Sequence, residues 1–297
     1  MKRLISANAS EILKMSKEEL LQSIKASEGR TILSENIVLL PPVVHELSNA
    51  EIAKAFGADL ILLNMVDVFN PQVWGLEQGG NFVEKLHKLV GRPIGVNLEP
   101  VDESAVMLED RGSMPEGRRA SANTIDEIER LGTDFVCFTG NPGTGVSNKA
   151  IVDSIKLAKD KFSGFIIAGK MHGAGVNEPV VSDEVIQEFI DAGADIILVP
   201  SVGTIPGFDQ EQLKAAVKAA HSAGAMVMSA IGTSQEGSDK ETIKYIAIQN
   251  KICGVDIQHI GDAGMGGLAI PENIYELSKA IRGQRHTISA MARSINR

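Results

Sequence analysis

The chain has 297 residues, 43% of them hydrophobic, and a formal net charge of −9 at pH 7. This composition allows one large core, so we predict a single domain over residues 1–297. The acidic balance and the lack of a basic cluster longer than Arg118-Arg119 argue against nucleic-acid binding. We expect a cytoplasmic protein without a membrane span, in which Cys137 and Cys253 are reduced core residues.

The first 29 residues form a polar segment with apolar residues at roughly helical spacing between Ala9 and Glu28. We predict that residues 1–29 fold as one or two helices that cover the bottom of the domain.

A repeated tripeptide, Gly-x-Asp followed by an apolar stretch, marks four strands. Each copy follows a segment with helical spacing, so the Gly suits the position just past a helix end. The apolar stretch then suits a short strand buried on both faces, as in a parallel sheet. The four aspartates are Asp59, Asp134, Asp195 and Asp256.

Four further strand candidates alternate with these markers, at 31–37, 93–97, 164–168 and 225–229. Eight strands, each followed by a helical segment, predict a (β/α)8 TIM barrel. A doubly wound open sheet is the alternative, but a Gly-x-Gly-x-x-Gly turn after the first strand is absent.

Active sites of such barrels lie at the C-terminal ends of the strands, so polar residues there are the functional candidates. Asn97 and Glu99 share one face of their strand, as do Lys170 and His172 of theirs. If those faces are the lumen, Glu99, Lys170 and His172 converge as catalytic residues. Lys170 suits a Schiff-base nucleophile, a general base, or an anchor for a substrate anion. His172 suits a general acid or base, or a metal ligand.

The other polar or glycine-rich strand ends supply the candidate substrate-binding residues. The loops after the seventh and eighth strands often bind phosphate in these barrels. His259 interrupts an otherwise apolar strand, and a polar side chain in such a place needs a hydrogen-bond partner. The predicted binding residues are Asn64, Asn97, Asn141, Ser201, Thr233, Ser234, His259, Gly264 and Gly266.

Carboxylates at the strand ends suggest a divalent metal, Mg, Mn or Zn, as the only cofactor. Asp67 and Asp262 are the candidate ligands, with His172 and His259 as further donors. The spacing of these residues matches no metal-binding signature, so other roles remain open for them.

A long connection follows the third strand, over residues 100–123. A segment of this length above the active face is typical of an active-site lid or of a disordered loop. Arg111, Arg118 and Arg119 would close onto an anionic ligand if it is a lid, and are otherwise solvated charges. At the other end of the chain, residues 284–297 suit either a frayed tail or a helix that docks on a partner subunit, and we expect a homo-oligomer.

The chain resembles an uncharacterised family of bacterial barrel proteins often labelled phosphoenolpyruvate phosphonomutase-like or haloacid-dehalogenase-like. The resemblance lies in residues 10–13, 57–64, 95–100 and 169–173. The dehalogenase label requires an Asp-x-Asp motif after the first strand, where this chain has Ile32-Leu-Ser-Glu-Asn36. Glu109-Asp110-Arg111 is similar to the Glu-Asp-Lys/Gln signature of the phosphonomutase superfamily, although it lies inside the long connection. That resemblance implies Mg and an α-oxo acid or phosphonate substrate.

We therefore predict an enzyme with lyase or isomerase chemistry on a small anionic metabolite, either phosphorylated or carboxylated. A metal-dependent hydrolase built on Asp67, His172 and His259 is one alternative. A non-catalytic barrel that acts as a sensor or assembly factor is another.

Overall fold

Eight parallel strands close into a barrel whose spatial order is their order in the chain, with β1 paired to both β2 and β8. The computed structural model describes all 297 residues. The fold is a (β/α)8 TIM barrel, as predicted. The strands are β1 Thr31–Ile37, β2 Leu60–Asn64, β3 Ile94–Leu98, β4 Phe135–Phe138, β5 Phe165–Gly169, β6 Ile196–Pro200, β7 Met226–Ile231 and β8 Ile257–Ile260.

Ten α-helices surround the barrel or close its bottom. Most begin at a side-chain cap; for example, the Ser48 hydroxyl accepts from the Glu51 N–H at 3.3 Å, and the Glu51 carboxylate accepts from the Ser48 N–H at 2.9 Å. The helices are α1 Ala9–Ile12, α2 Lys17–Lys25, α3 Asn49–Ala55, α4 Phe82–Val90, α5 Ala122–Leu131, α6 Asn148–Lys159, α7 Asp183–Ala192, α8 Gln210–Ser222, α9 Lys240–Cys253 and α10 Pro271–Ala292. None is both long and apolar enough to cross a membrane.

Two apolar layers hold the barrel together. The larger lies between the sheet and the outer helices, and the smaller fills the lumen and continues into the N-terminal segment. In the lumen the rings of Phe135 and Phe165 stack 4.9 Å apart. Gly95 is required opposite them, because a Cβ at that position would lie 2.2 Å from the Phe135 ring.

The four marker aspartates tie the bottoms of neighbouring strands together. Each uses one carboxylate oxygen to accept the backbone N–H at the start of the preceding strand. The bonds are Ile32 to Asp59 at 3.0 Å, Ile94 to Asp134 at 2.7 Å, Ile166 to Asp195 at 2.8 Å and Val227 to Asp256 at 2.8 Å.

Each marker aspartate also contacts a basic side chain. The partners are Arg282 for Asp59 at 2.6 Å, His87 for Asp134 at 2.7 Å, Lys17 for Asp195 at 2.9 Å and His221 for Asp256 at 2.7 Å. Only the Asp59–Arg282 pair is buried, with side-chain exposures of 5% and 0%. The repeated Gly-x-Asp motif therefore has a structural role: it links neighbouring strands at the bottom of the barrel.

The C-terminal residues 284–297 lie against the N-terminal segment of their own chain. Helix α10 breaks at Gly283, which has φ 72° and ψ 168°, and its second half buries Thr287 and Ala290. The carbonyl of Arg297 then accepts from the Ser10 N–H at 2.9 Å. The tail is therefore not frayed in the structure, because it completes the packing at the bottom of the barrel.

Candidate active site at the C-terminal end of the barrel

A cavity of about 490 Å³ opens at the C-terminal end of the strands. Its wall comes from the C-terminal parts of β1 to β3, from the loops that follow β4, β5, β7 and β8, and from part of the long β3–α5 connection. No Lys or Arg lines it, and the ionisable lining residues are Glu35, Glu109, His172, Glu236 and Asp262. The cavity is thus an acidic site at the end of the barrel where enzymes of this fold carry their chemistry.

Glu35 lines the cavity and forms a buried pair with His259, which lies behind the lining. Both side chains project into the lumen from adjacent strands, and His259 Nε2 lies 2.8 Å from Glu35 Oε2. Burial raises the pKa of Glu35 to about 8, and the charges of Glu236 and Glu99 add to this shift. Burial lowers the pKa of His259 to about 4. Both groups are therefore neutral near pH 7.

Asp262 and Glu236 place two further carboxyl groups beside this pair. Burial raises the pKa of Asp262 to about 7, with a contribution from the charge of Glu35. Burial also raises the pKa of Glu236. The 3-10 turn Gln235–Gly237 holds Glu236, whose Oε1 accepts the Ala263 N–H at 3.1 Å, while its Oε2 has no partner. Carboxyl groups that titrate near neutral pH are suited to general acid–base chemistry.

Three asparagines from neighbouring strands, all predicted as binding residues, form one connected network. Asn64 Nδ2 donates to Asn141 Oδ1 at 2.9 Å and to Asp262 Oδ2 at 2.8 Å. Asn64 Oδ1 accepts from Asn97 Nδ2 at 3.1 Å and from Asn141 Nδ2 at 3.0 Å. Because Asn64 occupies Oδ2 of Asp262, the proton of a neutral Asp262 resides on Oδ1.

The predicted convergence of Glu99, Lys170 and His172 was wrong for Lys170. The lumen face of β5 carries Phe165 and Ile167, so Lys170 has the opposite parity and lies outside the cavity. Its side chain is 1% exposed and pairs with Glu178, and burial lowers its pKa. This arrangement gives Lys170 a structural ion pair and no access to a substrate.

Glu99 has the predicted lumen parity but is covered instead of lining the cavity. Its Oε1 accepts from the Arg118 guanidinium at 2.6 Å, and its Oε2 accepts from the Asn141 N–H at 2.9 Å. With 1% exposure it does not reach the substrate space and instead positions Asn141. Glu99 is therefore a positioning residue and not a catalytic residue.

Removing the partner of Glu99 is expected to weaken the fold. Arg118→Met leaves a buried carboxylate without its charged donor, so we expect a loss of about 2–3 kcal/mol in unfolding free energy. Denaturant titration measures it. The double variant Arg118→Met with Glu99→Gln should recover much of that loss, and equal losses in the two variants would contradict the assignment.

His172 lines the cavity as predicted, with one ring nitrogen already engaged. Its Nδ1 accepts the Ala174 N–H at 3.0 Å, so the proton of the neutral ring is on Nε2. Burial lowers the pKa of His172, and the charge of Lys170 contributes to this shift. A neutral His172 can therefore donate one hydrogen bond from Nε2.

The predicted binding residues divide into those that line the cavity and those that do not. Lining residues are Asn64, Asn97, Asn141, Thr233 and Ser234, whereas Ser201, His259, Gly264 and Gly266 lie outside the lining. Ser201 Oγ bonds to Ser229 Oγ at 2.9 Å and to Asn250 Nδ2 at 2.9 Å, within the layer outside the sheet. Gly264 and Gly266 serve chain packing, because a Cβ on either would lie 2.6 Å from another backbone segment.

The side chains do not fit a preformed metal centre. No group of three or more His, Cys, Asp or Glu residues has an arrangement that could hold a metal ion. Of the predicted ligands, Asp262 lines the cavity and Asp67 does not. The Asp67 carboxylate caps its own turn by accepting the N–H groups of Phe69 at 3.0 Å and Asn70 at 3.2 Å.

The long connection 100–123 lies across the cavity. Its Leu108 N–H donates to Gly175 O at 2.8 Å, its Gly112 N–H donates to Gly143 O at 3.1 Å, and Leu108 and Glu109 line the cavity. The predicted anion-binding arginines do not face the cavity: Arg111 and Arg119 pair with Glu103, and Arg118 pairs with Glu99. Glu109 is therefore the only ionisable residue that this connection contributes to the cavity lining.

Backbone N–H groups, and not basic side chains, are the donors in two of the lining loops. The N–H groups of Gly173 and Gly175 after β5, and of Thr233 and Ser234 after β7, have no hydrogen-bond partner within the chain. Thr233 and Ser234 have positive φ values of 55° and 71°, an uncommon conformation for residues with a Cβ. Free backbone donors of this kind can bind an anion.

Sequence reasoning missed Glu35 and Glu236 as ionisable site residues. Glu35 lies near the C-terminal end of β1, and its shared parity with the lumen residue Leu33 is the signal that would have selected it. Glu236 reaches the cavity through an irregular loop, for which the sequence carries no periodic signal.

These features define a (β/α)8 barrel with an acidic cavity at the C-terminal ends of its strands. The chain belongs to the family described as Domain of unknown function (DUF7916), whose model matches residues 5–297. No curated protein is similar enough in sequence to match the chain.

Solved structures with the same fold include three proteins of low sequence identity. 2,3-Dimethylmalate lyase, a member of the PEP mutase/isocitrate lyase superfamily, is 13% identical with a TM-score of 0.50, covering 83% of this chain and 81% of its own. Oxaloacetate acetylhydrolase in complex with oxalate is 15% identical with a TM-score of 0.50, covering 83% and 80%. A candidate lyase/mutase from Burkholderia cenocepacia is 16% identical with a TM-score of 0.50, covering 92% and 96%. These likenesses show the shared fold.

Proposed function

We propose that this protein is a lyase or isomerase that performs general acid–base chemistry on a small anionic metabolite. One observation carries the proposal: Glu35 and Asp262 line the same cavity, and burial gives them pKa values of about 8 and about 7. A pair of carboxyl groups poised near neutral pH can accept one proton and donate another.

The two groups suit different halves of a proton-transfer reaction. Asp262, with the lower pKa, is ionised in part near neutral pH and takes a proton from a substrate C–H or O–H group. Glu35 is protonated at the same pH and donates its proton to the atom that gains the electron pair. His259 holds Glu35 Oε2, which directs the free oxygen of Glu35 toward the cavity.

The anionic part of the substrate is assigned to the loops after β5 and β7. Their free N–H groups at Gly173, Gly175, Thr233 and Ser234 supply hydrogen-bond donors without adding a positive charge. The fold is compatible with this class, because structures that share it include 2,3-dimethylmalate lyase and an acetylhydrolase whose product is oxalate.

The test is exchange of substrate protons with deuterated solvent, followed by NMR over a panel of α-oxo acids, hydroxy acids and sugar phosphates. For any metabolite that the wild type turns over, Glu35→Gln and Asp262→Asn should each lower the rate roughly 10²–10⁴-fold. Asp153→Asn, which changes a carboxylate in an exposed pair with Lys149, is the control and should leave the rate unchanged. Wild-type rates in both site variants would refute the proposal.

A further inference from the structure

The asparagine network leaves one acceptor of the cavity wall without a partner. The backbone N–H of Met65 donates to Asn64 Oδ1 at 2.9 Å, which sets the orientation of that amide. Asn97 must therefore present its Nδ2 to Asn64 Oδ1, and does so at 3.1 Å. The other end of the Asn97 amide, Oδ1, is buried and has no hydrogen-bond partner.

Two more buried polar atoms of the lining lack partners, Thr139 Oγ1 and Glu236 Oε2. The three residues Asn97, Thr139 and Glu236 are only 3%, 2% and 2% exposed. Asn97 pairs with Cys137 in the β3–β4 register, so Thr139 lies two residues further along the neighbouring strand on the same face. Unpaired buried polar groups cost free energy, so three in one cavity indicate a ligand that satisfies them.

The unpaired atoms restrict the chemistry of that ligand. An amide oxygen only accepts, so Asn97 Oδ1 requires a donor, which a carboxylate or phosphate oxygen does not provide. The Thr139 hydroxyl, from the neighbouring strand, also lacks a partner and requires an acceptor for its proton. An ammonium group satisfies the first requirement and fails the second. A hydroxyl group satisfies both, because it donates and accepts at once.

We propose that Asn97 and Thr139 on the β3–β4 side of the cavity, with Glu236 on the β7 side, recognise the hydroxyl groups of the substrate, whose class is a hydroxylated carbon chain with an anionic end. Only the anionic end of this ligand depends on the proposed function. These three residues and the free backbone donors line the same cavity, so one molecule can contact both.

Matched pairs of ligands test the inference by calorimetry on the full chain. The two members of each pair differ only in hydroxyl groups: L-tartrate is paired with succinate, and glycerol 1-phosphate with propyl phosphate. We expect the hydroxylated member of at least one pair to bind about 10-fold more tightly or better. Equal affinities within both pairs, or no binding of either hydroxylated probe at millimolar concentration, would overturn the inference. Tighter binding of phosphoethanolamine than of glycerol 1-phosphate would overturn it as well.

Thr139 provides a variant that keeps the fold, because its hydroxyl group bonds to nothing in the chain. Thr139→Val should reduce the affinity for the hydroxylated probe about 10-fold and leave that of the hydroxyl-free partner unchanged, while Thr139→Ser restores it. An unchanged preference in Thr139→Val would contradict the assignment. If hydroxyl groups raise the affinity of a ligand but its anionic group does not, the hydroxyl-binding residues stand as proposed and the proposed anion site is wrong.

Discussion

Asp262→Asn is expected to stabilise the protein, and to do so more strongly as the pH rises. The Asp262 carboxyl has a pKa of about 7 in the folded protein, well above its ordinary value of 3.8. The unfolded chain therefore loses this proton first. From pH 3.8 upward the folded state is progressively disfavoured, and the effect levels off above about pH 7. Asparagine removes this penalty because it does not ionise.

The size of the effect follows from about 1.4 kcal/mol per unit of pKa difference. The stability difference between Asp262→Asn and wild type should grow by about 2–3 kcal/mol between ~pH 5 and ~pH 9. Denaturant unfolding at the two pH values measures it. Subtracting the wild type cancels the titrations of groups that do not interact with Asp262; Glu35 and His259 do interact with it, so part of their titration remains in the difference.

Asp153→Asn serves as the control for this measurement, because Asp153 lies in an exposed pair with Lys149. Its effect should differ little between the two pH values. The opposite result is that the unfolding free energy of Asp262→Asn minus that of the wild type stays constant or shrinks as the pH rises. That result would show that Asp262 ionises freely in the folded protein. In that case the acid–base assignment also loses its basis. Stability gained together with lost turnover would instead mark Asp262 as a functional residue.

Asp59→Asn is expected to be the most destabilising change at the bottom of the barrel. It leaves the guanidinium of Arg282, with 0% side-chain exposure, without its counter-ion. Breaking a buried ion pair from one side costs about 3–5 kcal/mol, because the remaining charge is uncompensated. Denaturant unfolding at neutral pH gives the value.

The repeated motif supplies a matched control. Asp256→Asn makes the same change in another copy, where the partner His221 is 43% exposed and solvent compensates the loss. We expect about 1 kcal/mol or less there. The double variant Asp59→Asn with Arg282→Met should recover part of the stability, since it removes the unpaired charge. Similar losses at Asp59 and Asp256 would contradict the role given to burial.

The barrel and the candidate site differ in how far the sequence predicts them. Apolar stretches between segments of helical spacing identified all eight strands, because burial on both faces leaves an apolar run in a strand. Strand parity was less informative, because it groups residues on a face without saying which face is the lumen. Asn97 and Glu99 lie on the lumen side of β3, whereas Lys170 of β5 has the opposite parity.

The arginines of the 100–123 connection show a similar limit, because the sequence does not reveal which carboxylates they pair with. Arg111, Arg118 and Arg119 were expected to bind an anion, and the structure pairs them with Glu103 and Glu99. Their partners lie 8 to 19 positions away along the chain, in segments without regular structure. No local pattern encodes such pairs, since the path of an irregular loop depends on all its contacts.

By itself the sequence determined the closed barrel, its eight strands, and the end at which chemistry belongs, because these depend on periodic burial within short segments. The tertiary structure alone decided which polar residues share the cavity. Glu35 and His259 are 224 positions apart in the chain and 2.8 Å apart in space. Their pKa values, and that of Asp262, follow from burial and from the charges of neighbouring residues, an environment that exists only once the barrel has closed.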